Sequence, residues 1–215
     1  AQKEKFLPPI AKGAITGFAL TEEDAGSDLT RIRTYAQRVY DGKNLAGYRL
    51  SGRKLYTTNG PKNDKEFLAT FLVVVARIVD DPAELDDSKA AMTYGAFVIN
   101  THDEGVRVVS RCDFMGIKAI YNGLIAFDNV LVAVDQRIGN EGDGIRVALS
   151  TLAIGRLTLP AACVGAFKQA LAISRWWDGQ RVQLFRRIGD HELIAKRSKI
   201  ERFLLSKGII LAIKT

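Results

Sequence analysis

Eleven residues, Phe18-Ala-Leu-Thr-Glu-Glu-Asp-Ala-Gly-Ser-Asp28, join a short apolar run to an acidic loop that contains glycine. Such a segment offers an apolar wall, the Thr21 hydroxyl at its rim, and backbone N–H groups that no strand partner uses. A planar, hydrogen-bonding, phosphate-bearing cofactor is the kind of molecule that lies on this surface. Further along, Leu55-Tyr-Thr-Thr-Asn-Gly60 brings an aromatic ring and two more hydroxyls. Taken alone, each segment is also ordinary β-structure: Asp24, Gly26 and Asp28 suit a turn, and Tyr56, Thr57 and Thr58 favour strands.

The elements that position these residues are legible from periodicity. From Ala14 to about Val134, apolar runs rich in Val, Ile, Phe, Tyr and Thr alternate with Gly, Asn or Asp. They predict strands at 15–21, 32–40, 47–51, 53–58, 67–78, 94–100, 105–109 and 119–127. Short strands at such spacing predict a closed or nearly closed antiparallel barrel. The polar stretch 80–88 is a surface loop. Beyond Gly144 the period becomes helical: Ile145, Leu149, Leu152, Leu159, Cys163, Phe167, Ala170 and Ser174 share one stripe, interrupted by Arg156. Pro160 predicts a bend, because it has no N–H for the Arg156 carbonyl. A second helix is predicted from about Asp190 to Ile213, its apolar side including Ile194, Ile200, Phe203, Leu204, Ile210 and Leu211. Residues 2–12 read as the frayed end of a helix leading elsewhere. The fold class is α+β, a barrel-like β-domain followed by long helices.

Composition narrows the function. With 215 residues, 47% hydrophobic and 26% charged, the chain suits one sizeable core or two small ones. No uninterrupted run of about 18 apolar residues is present, and the first residues do not form a secretory signal. The expectation is a chain without a membrane span, cytoplasmic or, in a eukaryote, in the mitochondrial matrix. Cys112 and Cys163 are read as buried small hydrophobes in a reducing compartment, and His102 and His191 lack companion ligands, so no metal is expected. The net charge of +7 raises the question of nucleic acid. Much of the excess is late, from Arg175 through Arg181, Arg186, Arg187, Lys199 and Arg202, on a region that reads as helix. A solvated or subunit-facing helix surface explains it, and no nucleic-acid partner is expected.

The two opening segments, in this order, resemble the acyl-CoA dehydrogenase family. The resemblance continues through Asp41-Gly42 with Tyr48-Arg-Leu-Ser-Gly52, Met115-Gly116, Phe127-Asp-Asn-Val130, Gly139-Asn-Glu-Gly-Asp-Gly144, Gly155-Arg156, and Gln180-Arg-Val-Gln183 with Ile188-Gly-Asp190. It implies that residues 1–13 end a preceding helical domain, that 14–137 form a β-barrel-like domain binding flavin and acyl-CoA, and that 138–215 begin an incomplete C-terminal helical bundle. The implied cofactor is FAD. The implied reaction is α,β-dehydrogenation of an acyl-CoA thioester, as in fatty-acid β-oxidation, with electrons passed to an acceptor flavoprotein. The family's dimers or tetramers imply a homo-oligomer.

By the same resemblance Phe18, Leu20 and Thr21 border the flavin, and Ser27 lies near the pyrophosphate and the coenzyme A chain. Tyr56, Thr57 and Thr58 cover the ring, with tryptophan the commoner occupant of the first position. Arg181 and Gln183 reach the FAD pyrophosphate of a neighbouring subunit. Ala153, Gly155 and Arg156 touch substrate; a buried structural ion pair is the other reading of Arg156. The catalytic base is expected beyond Thr215, and the alternative position that a minority of the family uses is Gly155 here. Glu23-Asp24 replaces the usual Pro-Gly, and Leu184-Phe185 the usual Phe-Gly. The missing base leaves two further readings: a binding scaffold without turnover, and a flavin oxidase or monooxygenase on the same fold.

Overall fold

A computed structural model describes residues 2–87 and 89–214, with side chains up to residue 203. Ser88 of the acidic loop, and the side chains of Leu204, Ile210 and Leu211 expected on the last helix, lie outside the described residues. In chain order the elements are α1 (Gln2–Ala11), β1 (Thr16–Ala19), β2 (Tyr35–Asp41), β3 (Asn44–Thr58), β4 (Phe71–Val79), β5 (Tyr94–Asn100), β6 (Val106–Arg111), β7 (Asn122–Ala133), β8 (Arg137–Ile138), α2 (Gly144–Gln180), β9 (Val182–Gln183), β10 (Arg186–Arg187) and α3 (Glu192–Lys214). Two compact units divide them, residues 1–149 and 150–215.

In the first unit the strands form one mixed sheet in the order β6-β7-β3-β2-β4-β5-β8, with β1 also on β4. The expected barrel-like β-domain is present, and it departs from a closed, wholly antiparallel barrel on two points. β1 and β2 both run parallel to β4 and share one of its edges, β1 along Phe71–Val74 and β2 along Arg77–Val79. Each is too short to cover that edge alone. No hydrogen-bonded pairing joins β6 to β8 across the described residues. The sheet is nonetheless strongly curled, since Tyr48 of β3 meets Phe97 of β5 edge-on with ring centroids 5.0 Å apart. Leu50, Leu72, Val74, Ile99, Ile125 and Phe127 fill the interior between them.

The strands predicted at 47–51 and 53–58 are one strand, β3. It passes through Gly52 at φ +144, where an added Cβ would lie 2.6 Å from the Thr34 Cα, so only glycine lets β3 continue there. Gly42 of the Asp41-Gly42 landmark opens the two-residue turn between β2 and β3, at φ +59. Helix α1 packs on the sheet within the first unit. Phe6 packs edge-on against Phe71 at 5.7 Å, and the Gln2 amide donates to the carbonyls of Asp135 and Arg137.

The glycine-rich run before α2 is tied to the sheet. Glu141 accepts from Arg38 (2.8 Å) and from the Tyr48 hydroxyl (2.8 Å), and Arg137 also reaches Tyr48. Hydrogen bonds from Arg38 hold the Glu141 carboxyl below its ordinary range, outweighing partial burial. A Cβ on Gly144 would sit 2.7 Å from the Gly95 nitrogen, so the helix starts in direct backbone contact with β5.

The second unit comprises the rest of α2, the β9–β10 hairpin and α3. Helical structure continues without a break through Pro160, where the sequence predicts a bend. Residues Ile154, Leu159, Ile173 and Trp176 on α2 are exposed. By length and composition α2 is apolar enough to cross a bilayer. The sequence expectation that no such stretch exists counted only uninterrupted runs, and α2 qualifies on its average despite scattered charges. Cys163 is exposed on this helix and Cys112 is half-buried at the end of β6, which corrects the expectation that both are buried.

Candidate functional site

The two segments nominated from the sequence lie edge to edge. The Leu55 N–H donates to the Thr21 carbonyl at 2.8 Å, and the Asn59 amide donates to the Thr16 carbonyl at 3.3 Å. Residues 16–21 therefore run antiparallel to 55–59. Thr21 lies opposite Leu55 rather than opposite Thr58, an offset of ~10 Å along an extended strand. Gly17 permits the close approach: its missing Cβ would lie 2.9 Å from the Thr58 carbonyl oxygen and 2.8 Å from a Leu72 methyl.

Alternation sorts the side chains into two faces. Gly17, Ala19 and Thr57 are buried, and the Thr57 methyl would be 3.7 Å from a Cβ on Gly17, so these residues share the inner side. Phe18 and Leu20 project outward and are half-buried against Ile32, Val73 and Val75. Tyr56 and Thr58 are exposed. Of the residues nominated as ring contacts, Thr57 is thus turned into the core. The cause is a bulge in the pairing with β7 between Lys54 and Thr57, with Tyr56 at φ +57. That φ is an outlier for a bulky residue, of the kind that collects at functional sites. The Tyr56 ring packs on Phe114 with centroids 5.9 Å apart.

Beneath this wall Glu22 of the first motif pairs with Lys54, which lies just outside the second. The Lys54 ammonium, 0% exposed, donates to Glu22 Oε1 at 2.7 Å and to the Leu20 carbonyl at 3.0 Å. The Glu22 carboxylate also accepts the backbone N–H groups of Arg33 (2.8 Å) and Thr34 (3.1 Å). One clamp thus fixes the residues on both sides of Thr21 and the far end of the loop that follows. Burial pulls the Lys54 ammonium down to about 8, against the pull of Glu22. Burial likewise penalises the Glu22 carboxylate, but Lys54 and the donors from Thr34 and Arg33 hold it below its ordinary range. The signal available in the sequence was parity: Lys54 follows Leu50 and Gly52 on the inward-facing side of β3, where a lysine needs a buried partner.

The loop itself suits an anion. Reciprocal bonds between the Glu22 and Ala25 backbones close it, and the Asp28 carboxylate caps the following turn by accepting the Thr30 N–H. Among the described residues, the N–H groups of Gly26, Ser27 and Asp28 donate to no protein acceptor. Free N–H groups clustered on a loop are what a pyrophosphate would engage. The side chains of Glu23 and Asp24 are exposed, so water screens their charge. The wall and the loop together fit the flavin and pyrophosphate of FAD.

The remaining nominated residues belong to the second unit. Ala153 and Arg156 are exposed on α2 and Gly155 is half-buried. Arg156 has no acidic partner among the described residues, so a buried ion pair does not account for it. The Arg181 guanidinium lies 5.9 Å from the Trp177 ring, and the Gln183 amide donates to the Val182 carbonyl at 2.8 Å. Between β9 and β10, Leu184 and Phe185 occupy the two-residue turn at φ +54 and +66. No residue of this chain is assigned as catalytic base.

The sequence model described as acyl-CoA dehydrogenase, middle domain, matches residues 17–130. The chain is 42% identical over 196 residues to the probable acyl-CoA dehydrogenase FadE10 of Mycobacterium bovis, an alignment covering 91% of this chain and 28% of that protein. Butyryl-CoA dehydrogenase from Megasphaera elsdenii has a similar structure, with a TM-score of 0.84 and 29% identity, covering 99% of this chain and 51% of its own. An acyl-CoA dehydrogenase from Bacillus anthracis, solved in complex with FAD, aligns with a TM-score of 0.76 and 29% identity over 91% of this chain and 31% of its own.

Proposed function

Because the chain belongs to the acyl-CoA dehydrogenase family, we propose that it supplies the FAD-contacting wall of an enzyme that dehydrogenates an acyl-CoA thioester between its α and β carbons. The observation that carries the reading is the edge-to-edge placement of residues 16–21 and 55–59, with Thr58 and Tyr56 outward beside Phe18 and Leu20. Bound FAD supplies the acceptor for the hydrogen that leaves the β carbon. Around it, Phe18 and Leu20 provide the apolar backing, Thr21 and Thr58 hydrogen-bond the ring, and Ser27 with its neighbouring N–H groups holds the pyrophosphate. Lys54 and Glu22 keep this surface in place without touching the cofactor.

Arg156, Ala153 and Gly155 are the proposed substrate contacts, and Arg181 with Gln183 the proposed contacts to the FAD of a second protomer in a dimer or tetramer. The base that takes the α-proton is supplied from outside these residues, and the electrons pass to a separate acceptor flavoprotein. We read the exposed apolar side of α2 as a face for other helices rather than for lipid. Support comes from the Megasphaera elsdenii structure, which aligns over 99% of this chain, α2 included.

Anaerobic mixing of the complete polypeptide with acyl-CoA thioesters of graded chain length tests the activity. Bleaching of the flavin absorbance is the expected result. Retention of FAD with no bleaching at any chain length would remove the enzymatic reading and leave a binding scaffold.

A further inference from the structure

We infer that Asn122 is a positioning residue whose side-chain amide makes the Thr58 hydroxyl a hydrogen-bond donor toward the cofactor face. Asn122 opens β7 directly across from Thr58 and is only 6% exposed. Its Nδ2 lies 3.1 Å from the Tyr56 carbonyl oxygen and 2.9 Å from the Thr58 Oγ1. A carbonyl oxygen only accepts, so the NH2 end of the amide must face Tyr56. The flip ambiguity that attends most asparagine side chains is thereby removed.

With one N–H on Tyr56, the other goes to the Thr58 oxygen and fills a lone pair there. The hydroxyl proton of Thr58 is left to point elsewhere. Thr58 is exposed and its hydroxyl has no other partner among the described residues, so the proton is offered to whatever lies on the outer wall. The same amide braces the Tyr56 carbonyl inside the bulge, where Tyr56 holds its unfavourable φ. Asn122 Oδ1 has no hydrogen-bond partner although buried, so the side chain contributes here through its two donors alone. The Tyr56 bond orients the amide, and it is through Thr58 that the amide reaches the cofactor face.

The inference rests on the reading that FAD lies on this wall, and the experiment separates the two. Apo-protein made from the complete polypeptide is titrated with FAD, following flavin fluorescence and the visible absorption band, for wild type, T58V, T58S, N122S, N122D and T58V/N122S. Failure of the wild type to take up FAD overturns the reading beneath. If FAD binds, T58V and N122S should each weaken it about five- to tenfold, the size of one neutral hydrogen bond, and shift the visible band alike. T58S, which keeps the hydroxyl, should recover most of the affinity that T58V loses. The double variant should bind no more weakly than T58V, because Asn122 acts through Thr58. Should N122S not fold, N122D carries the test: its carboxyl draws the Thr58 proton inward and should match T58V. Effects that multiply in the double variant, or an Asn122 substitution that leaves affinity and band unchanged, would overturn the inference.

Discussion

Gly17→Ala is the sharpest perturbation of the wall. The added methyl would lie 2.8 Å from the Leu72 Cδ2 and 2.9 Å from the Thr58 carbonyl oxygen. Neither neighbour can yield easily, since Leu72 is fully buried and the oxygen belongs to the β3 backbone. Relief requires residues 16–21 to move away from 55–59 by a few tenths of an ångström, weakening the Leu55 N–H bond to the Thr21 carbonyl. Overpacking of this kind costs about 1–3 kcal/mol, and the loss of glycine entropy from the unfolded chain returns about 0.4–1 kcal/mol. A net destabilisation of about 1–2 kcal/mol raises the population of the locally open state roughly five- to thirtyfold. Native-state amide exchange of the peptide spanning 54–60 reads that opening directly. Gly26→Ala is the control, because nothing lies within 4 Å of its Cβ position. Equal protection of residues 54–60 in the two variants would refute the packing argument.

Lys54→Met strands the Glu22 carboxylate beneath the wall and should cost about 3–5 kcal/mol in urea unfolding; adding Glu22→Gln should recover part of that loss, and a double variant as unstable as the single one would contradict the clamp. The Glu22 and Glu141 carboxyls titrate lower when folded than their ordinary 4.5. The unfolded chain therefore binds more protons below about pH 4.5, and the stability these groups confer is held above that pH and lost as the pH falls through their folded values. Glu141→Gln should flatten the acid limb of a stability–pH curve, and an unchanged limb would count against it. Phe185→Gly, in the β9–β10 turn where φ is +66, should relieve about 1 kcal/mol of left-handed strain, read as slower exchange of the Ile188 N–H that bonds the Arg181 carbonyl.

Much of the β-domain was legible because it rests on local rules. Alternating apolar residues marked the strands, and the change to a helical period beyond Gly144 marked α2. What escaped depends on partners distant in sequence. Gly52 reads as a break between strands, yet it is the point that lets β3 stay whole against Thr34. The parallel placement of β1 and β2 on β4 is a choice of neighbour, which periodicity does not encode. At the candidate site, residue types singled out the Thr21 and Thr58 segments, which the structure sets edge to edge, but the burial of Thr57 was not legible because the bulge at Tyr56 shifts the alternation. Glu22 with Lys54, and Asn122 with Thr58, are side-chain pairs made only when β1, β3 and β7 assemble. A strand propensity scale cannot show either.

Amide exchange of the complete polypeptide with and without FAD measures the central claim most directly. The account predicts slowed exchange confined in the first unit to the loop around Gly26, Ser27 and Asp28 and to the segment around Tyr56–Thr58. FAD binding that leaves both segments exchanging as before, and protects other strands instead, would contradict it.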